Sequence, residues 1–570
     1  MSVDPITLAI VQNRLDHIAR QMGWVMTRTA RSPIFSQSHD FSCFLADRDG
    51  TIISQADGIP IHTGGGGFAI RALLEAFSGE IEPDDVFILN DPYEAGGNHL
   101  PDWVIARPIF FEAQLVGFAC NRAHQSDIGG GAAGTYNAAA TEIFHEGIRL
   151  PPLKLVSKGA LRNDLWKLLK INTRTPDLID GDLRAMIGST LIGAEAVIKL
   201  FAELGLDKGF AAFAEILDYA DRRFRKLISE LPNGRFEGEE STDNDCFSNV
   251  VTTIRVALIV EGEKITVDFT GTDPEMRGFK NSSLANTHSA VYMALAAYFE
   301  SKLPRNEGTF RSVDVIAPEG SVVNARPPAP TTMCTVFVAH EVVHAVWKAL
   351  AKAAPELACA GWGKSIHSVT SSTKGKDRFV LYHWHAMPGG GAVSGRDGFN
   401  QIGHLIALGG LTLPNVENYE QLYPIKIHRQ EFRCDGGGPG KFRGGTGVEY
   451  EADVLVASEY SFRGEGLETP SAYGVNGGDW GVAGELRLIL PNGDGIHTPK
   501  YGVQSFPALK MVARSPGGGG WGDPMERDPL AVWNDVRNGV VSPAAAKQVY
   551  GVSLLANGLG VDASAARRRN

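Results

Sequence analysis

Two sets of side chains in this sequence have the types and spacing to hold a metal ion. The first is HEVVH, inside VAHEVVHAVWKAL at 338–350. His340 and His344 stand four apart around Glu341. On a helix both imidazoles share one face, which is how HExxH metalloproteases hold zinc. The second set is Asp40, His99, Asp102 and His124. Two imidazoles and two carboxylates suit Zn²⁺ or Mn²⁺. Asp127, three residues beyond His124, is a candidate ligand or an acceptor that orients a histidine. Asp91, in NDPY, reads as turn chemistry. His383 and His385 alternate in YHWHAM, so on a strand both face one side, as a metal pair or as half-buried core residues. The loop GGGPGKFRGGTG, 436–447, either cradles an anion with backbone N–H groups or turns a β corner.

The first set lacks a third ligand. Metzincins continue HExxHxxGxxH, whereas here the continuation is AVWKAL. The second set depends on register. Residues 102–111 and 115–124 read as strands whose turn centres on Ala113, which places Asp102 opposite His124. Directly opposed residues have Cβ atoms roughly 4.5–5.5 Å apart. His99, three residues before Asp102, reaches the same place. A slip of one residue would turn one side chain to the other face.

Other elements surround these strands. Asp4-Pro5 caps a helix whose apolar face is Val11, Leu15, Ile18, Met22 and Val25. A hairpin follows, 40–46 and 51–55 around DRDG. A short helix near 68–77, a strand at 86–90, a helical stretch over 178–232, strands within 250–270 and helices near 288–302 and 335–353 come next. Strand, turn and glycine signals dominate 376–512, and two short helices close the chain. The class is α+β, multi-domain and antiparallel β-rich with helical segments. Three spans are expected: an N-terminal metal-site region, 1–235; a central α+β region, 236–425; and a glycine-rich β region with terminal helices, 426–570.

Composition excludes several functions. The 570 residues carry a formal charge of −11 with no basic stripe, which does not suit nucleic acid. The six cysteines include no CxxC pair and read as reduced thiols, so the expected compartment is the cytoplasm. The N-terminus has no signal-peptide pattern, and no apolar run reaches the ~18–20 residues of a membrane span. No Walker loop is present: Gly440-Lys441 is followed by Phe442, where a P-loop requires Ser or Thr. No GxGxxG fingerprint joins a strand to a helix. A nucleotide, if used, is bound elsewhere.

The chain resembles the hydantoinase B / 5-oxoprolinase superfamily over nearly its whole length. The resemblance rests on DPITLAIVQNRL (4–15), HDFSCFLADRDG (39–50), NDPYEAGGNHLPDW (90–103), RAHQSDIGGG (122–131), DFTGTDP (268–274), APEGSVVNARPPAP (317–330), GGGPGKFRGGTG (436–447) and PGGGGWGDPMERDP (516–529), in that order. It implies a hydantoinase B-like fold and places the family's metal ligands on Asp40, His99, Asp102 and His124. HEVVH falls where the family has an ordinary helix. A partner resembling hydantoinase A binds ATP, in an A₂B₂ complex, and the substrate is a small cyclic amide: a lactam, 5-oxoproline or hydantoin. The partner phosphorylates the ring carbonyl, and this chain hydrolyses the activated intermediate at a divalent Zn or Mn centre, with Asp127 or His62 moving the proton. Bicarbonate is a further reactant that resemblance to the carboxylases allows. The alternatives are a subunit of an ATP-dependent ketone carboxylase of the acetone or acetophenone type, a lone metalloprotease, and a non-catalytic scaffold. One departure stands out. Many relatives have a motif like IPVHLGSM where this chain has IPIHTGGGGF, 59–68, and the glycines are expected to leave room for a bulkier ring.

Overall fold

The structure, a computed structural model, describes residues 3–56, 58–299, 303–372, 378–555 and 560–562. They form two units. One takes the described residues of 1–349, 373–380 and 410–412; the other takes those of 350–372, 381–409 and 413–570. The class is α+β, with mixed helices and largely antiparallel sheets.

The first unit opens with the helix Pro5–Thr29. Asp4 caps it by accepting the N–H groups of Ile6 and Thr7. Its buried face is Val11, Leu15, Ile18, Ala19, Met22 and Met26; Met26 takes the place expected of Val25. Beneath lies a seven-stranded sheet of β1 (Phe41–Asp47), β2 (Ile52–Gln55), β3 (Val86–Leu89), β4 (Asp102–Phe111), β5 (Gln114–His124), β6 (Leu153–Ser157) and β7 (Ala160–Leu161). Their order is β2-β1-β5-β4-β3-β6-β7, and each neighbouring pair is antiparallel.

The β4–β5 hairpin carries the decisive register. Its turn is the pair Glu112 and Ala113, both with left-handed φ, 48° and 61°, as a two-residue hairpin loop requires. Phe111 pairs with Gln114 and Phe110 with Leu115, but Ile109 pairs with Gly117. Val116 is therefore an extra residue, a bulge. Beyond it Asp102 pairs with His124, as the sequence predicts. Were Val116 part of the regular ladder, Asp102 would oppose Ala123.

Alternation then sorts the faces. Phe44, Phe87, Leu89, Val104, Ala106, Phe118 and Cys120 point to one side and pack with Ala69, Ile70 and Leu73 of the helix Gly66–Ala76. Asp102, Arg122 and His124 continue the same parity along β4 and β5. The opposite side meets the helices Pro5–Thr29 and Pro176–Leu204. The helical stretch expected over 178–232 is two helices, Pro176–Leu204 and Leu206–Ile228, broken at Gly205 with φ of 76°. Two helices, Pro176–Leu204 and the segment Cys334–Ala353, are long and apolar enough by composition to cross a membrane, which the sequence reading did not anticipate. Half of the apolar window of the first and 89% of that of the second are buried in the folded chain. A second sheet, of β8 (Gly234–Thr242), β9 (Thr252–Glu261), β10 (Lys264–Asp268) and β11 (Val313–Ile316), runs in the order β11-β10-β9-β8.

The second unit holds an antiparallel sheet of Ile425–Phe432, Val448–Val454, Leu509–Arg514, Glu485–Ile489 and Gly495–His497. Beside it run glycine segments with no side chains between them. A Cβ on Gly444 would overlap the carbonyl of Gly518, and one on Gly518 would overlap that of Gly390. Their N–H groups bond across the segments: Gly445 to Gly390 O at 2.8 Å, Gly518 to Gly445 O at 2.9 Å and Gly438 to Gly518 O at 2.8 Å. Lys441 and Phe442 donate to Gly522 O and Trp521 O, both at 3.0 Å. The 436–447 loop thus spends these donors on backbone partners, which answers the question of an anion cradle. A buried ionic knot secures it. Arg527 grips Asp397 at 2.7 Å and Asp535 at 2.7 Å, and Arg443 reaches Asp535 at 3.0 Å.

His383 and His385 do not alternate on a strand, because the strand Phe379–Tyr382 ends before them. His383 Nε2 lies 2.8 Å from Thr370 Oγ1, and His385 Nε2 lies 3.0 Å from the Pro414 carbonyl. Burial holds their pKa values down at about 3 and about 4. Both are buried core histidines.

Candidate metal centre

Asp102 opens β4 and His124 closes β5, so the pair stands at the end of the hairpin away from its turn. Asp102 Oδ1 lies 2.8 Å from His99 Nε2 and 3.2 Å from His124 Nδ1. Among the described residues, the one group of three or more histidine, cysteine or carboxylate side chains placed to share an ion is His99, Asp102 and His124. Their ligand atoms lie within 4.8 Å of one another. Asp40 precedes β1, which pairs with β5, and the His124 N–H donates to the Asp40 carbonyl at 3.1 Å. The Asp40 carboxylate faces His62 Nε2 at 3.6 Å, and His62 Nε2 faces Asp102 Oδ2 at 3.3 Å. All five side chains are buried.

Hydrogen bonds decide which nitrogen carries a proton. His99 Nδ1 lies 2.6 Å from the Thr332 carbonyl, an acceptor only, so Nδ1 is protonated. Nε2 then turns its lone pair to Asp102 Oδ1. Two lone pairs at 2.8 Å repel unless a proton or a cation lies between them. Without metal the proton does so: burial opposes charge on His99, but Asp102 overcomes it and raises the imidazole pKa. Burial likewise opposes charge on Asp102, yet His99 and His62 hold its carboxyl well below the usual range. Burial lowers His124, and it lowers His62 to about 4, so both are neutral at pH 7. A neutral His124, a His99 whose lone pair is directed at Asp102, and the ionised Asp102 carboxylate converge in a buried site. That donor set fits a borderline divalent ion such as Zn²⁺ or Mn²⁺.

Sequence reasoning missed Arg122. Fully buried, it donates to the His62 carbonyl at 2.9 Å and to Asn98 Oδ1 at 2.7 Å. Asn98 in turn donates to the Ile61 carbonyl at 2.9 Å. The guanidinium therefore ties the turn bearing His99 to the turn bearing His62. The signal was available, since Arg122 stands two residues before His124 and shares its face.

Asp127 is placed differently. Its Oδ1 accepts from Arg174 N at 2.8 Å and Gly129 N at 3.1 Å; its Oδ2 accepts from Gly134 N at 3.0 Å and Arg174 Nη1 at 3.1 Å. Both oxygens are committed to the loop after His124. Asp91 does serve a turn, accepting from Tyr93 N and Glu94 N, and also pairs with Arg149. The four glycines at 64–67 do not open space. A Cβ on Gly64 would stand 2.6 Å from Ser289 Cα, and one on Gly66 would stand 2.9 Å from Ile52 Cδ1. The missing side chains let the helix Leu284–Tyr298 approach closely, which removes the room expected for a bulkier ring. In HEVVH the two imidazoles meet edge to face with centroids 4.2 Å apart, and His344 Nδ1 lies 3.4 Å from Glu240 Oε2 on β8. Lys348 Nζ binds the same Glu240 oxygen at 3.0 Å.

Comparison with known proteins adds four findings. The sequence profile described as Hydantoinase B/oxoprolinase matches residues 4–524. Caprolactamase subunit beta of Pseudomonas jessenii is 34% identical over 575 residues, covering 98% of this chain and 97% of that protein. The crystal structure of the ATP-dependent caprolactamase from Pseudomonas jessenii matches with a TM-score of 0.90 at 33% identity over 98% of each chain. The nucleotide-free structure of acetone carboxylase matches with a TM-score of 0.89, at 21% identity over 99% of this chain and 82% of that one, a likeness of fold alone.

Proposed function

The chain belongs to the Hydantoinase B/oxoprolinase family, and from that premise we propose that it is the metal-bearing subunit of an ATP-dependent cyclic amide hydrolase. The observation that carries this reading is the convergence of His99, His124 and His62 on one buried carboxylate, Asp102. The partner is a hydantoinase A-like subunit that binds ATP and phosphorylates the ring carbonyl. This chain then hydrolyses the activated intermediate. We place the assembly as A₂B₂. The compartment we propose is the cytoplasm, in keeping with six cysteines that form no disulfide.

His99, Asp102 and His124 would hold the metal, with Asp40 as a fourth donor. A divalent ion there supplies Lewis-acid polarisation and lowers the pKa of a water toward ~7. His62 is the residue we assign to proton transfer. Its Nε2 faces two carboxylates and so carries the hydrogen, while its buried Nδ1 has no hydrogen-bond partner and keeps a free lone pair. Arg122, through the His62 carbonyl, fixes where that lone pair stands. Asp127, with both oxygens occupied, holds the loop instead.

Metal content measured by mass spectrometry on wild type, His99→Ala and His340→Ala tests the reading. His99→Ala is expected to lose the metal and His340→Ala to keep it. Adding the ATP-binding partner, ATP and a panel of lactams, 5-oxoproline and hydantoins to the wild type is then expected to open one ring. Turnover only with a ketone and labelled bicarbonate would favour the carboxylase, the reading that the acetone carboxylase fold keeps in view. An empty His340→Ala protein would move the centre to HEVVH and end the present assignment.

A further inference from the structure

Glu146 takes no part in the chemistry above, yet it is fully buried and no lysine, arginine or histidine among the described residues lies within ion-pair distance of it. Its partners are two successive backbone amides. Oε2 accepts from Thr331 N at 2.9 Å, and Oε1 accepts from Thr332 N at 2.8 Å. Only a carboxylate offers two acceptor oxygens in one plane for such a pair. Burial pushes its carboxyl up to about 7, so the group is held at a cost that a merely convenient contact does not explain.

The clamped segment leads to the metal centre. The Thr332 carbonyl, on the residue whose amide is clamped, is the acceptor at 2.6 Å that keeps the ring hydrogen of His99 on Nδ1 and turns Nε2 to Asp102. The same turn also meets the loop after His124. Gly131 N donates to the His145 carbonyl at 2.9 Å, and a Cβ on Gly130 would stand 2.7 Å from the Glu146 carbonyl. The backbone of His145 and Glu146 thus also packs on the loop after His124.

We infer that Glu146 is a positioning residue of the metal centre: its carboxylate clamps Thr331 and Thr332 and thereby aims His99 at the ion. This rests on the metal reading of His99, Asp102 and His124. Residues that touch only the ligands typically change metal affinity ~10–100-fold, and Glu146 acts at one remove further, so the lower end is expected.

The full-length chain, stripped of metal, is titrated with Co²⁺ alone, reading the visible ligand-field band and the dissociation constant against a chelator. Wild type is expected to give a saturable band, and His99→Ala none. Glu146→Gln keeps the volume but loses one acceptor; it is expected to bind ~10-fold more weakly with a shifted band, at unchanged circular dichroism. Glu146→Asp retains two acceptors on a shorter arm and gives the same readout should the glutamine variant not fold. A purely structural Glu146 would lower the melting temperature and leave the band and the affinity of the folded protein at wild-type values, which overturns the inference while the metal reading stands. A wild type that binds no Co²⁺ overturns both.

Discussion

Asp102→Asn is expected to empty the metal centre while leaving the fold intact. The substitution keeps shape and volume at a buried position, so packing around β4 is undisturbed. It removes the charge on which three imidazoles converge, at 2.8, 3.2 and 3.3 Å. Loss of a residue that touches only the ligands typically costs ~10–100-fold in metal affinity; loss of this central ligand is expected to exceed that range, and turnover to fall with it. The metal-free protein offers a second readout. Burial opposes charge on His99, and Asp102, helped by the Thr332 carbonyl and Asp40, overcomes it and raises the imidazole above its ordinary value. With a neutral amide in place the largest raising contribution is gone, and the His99 titration followed by NMR is expected to move down. Full metal content in the variant, or a His99 titration that does not move, would remove Asp102 from the centre of the assignment.

The second large effect lies in the second unit. Gly518→Ala is expected to destabilise the protein by about 3 kcal/mol or more, at the top of the range for overpacking. The added methyl group meets backbone, the carbonyl of Gly390, and not the tip of a side chain that could turn aside. Gly390 in turn accepts from Gly445 N and Gly445 from Gly518 N, so moving one segment strains the others. The same substitution at Gly188, inside the helix Pro176–Leu204, has the opposite sign. No atom lies within 4 Å of its Cβ position, and alanine there is expected to stabilise by roughly 0.5–1 kcal/mol through helix propensity and a restricted unfolded chain. Urea denaturation of both variants measures the contrast. Equal midpoints would mean that the glycine segments yield more readily than their hydrogen bonds imply.

Part of the candidate centre was legible because two of its members, Asp102 and His124, lie on one hairpin. A turn centred on Ala113 sets Asp102 opposite His124 by alternation alone; the structure reaches the same pairing by another route, a turn at Glu112–Ala113 followed by the Val116 bulge, which leaves no mark in the residue pattern. Arg122 was within reach of the same alternation. The Thr332 carbonyl was not: it is backbone, more than two hundred positions from His99, and no side-chain pattern reports where a carbonyl points. The glycines at 64–67 misled because composition distinguishes neither an open loop from a close approach nor a vacancy from a neighbour's backbone. The YHWHAM pair failed for a local reason, a strand that stops at Tyr382. HEVVH was judged by its missing third ligand, and the structure supplies a lysine-bound glutamate, Glu240, at the place beside it.

The position of the centre on its hairpin has a consequence for folding. A hairpin closes from its turn, and the Glu112–Ala113 turn stands at the far end of the ladder from Asp102 and His124. The ligand pair is therefore the last rung to zip. On the ligand assignment proposed above, a partly closed hairpin, or one slipped by a residue at the bulge, would hold no cation, so occupancy would report that the whole ladder has formed in register. Any ion that binds the closed form alone draws the zipping equilibrium toward completion. The amides of the end rungs, rather than those near the turn, are where hydrogen exchange would slow when the ion is added.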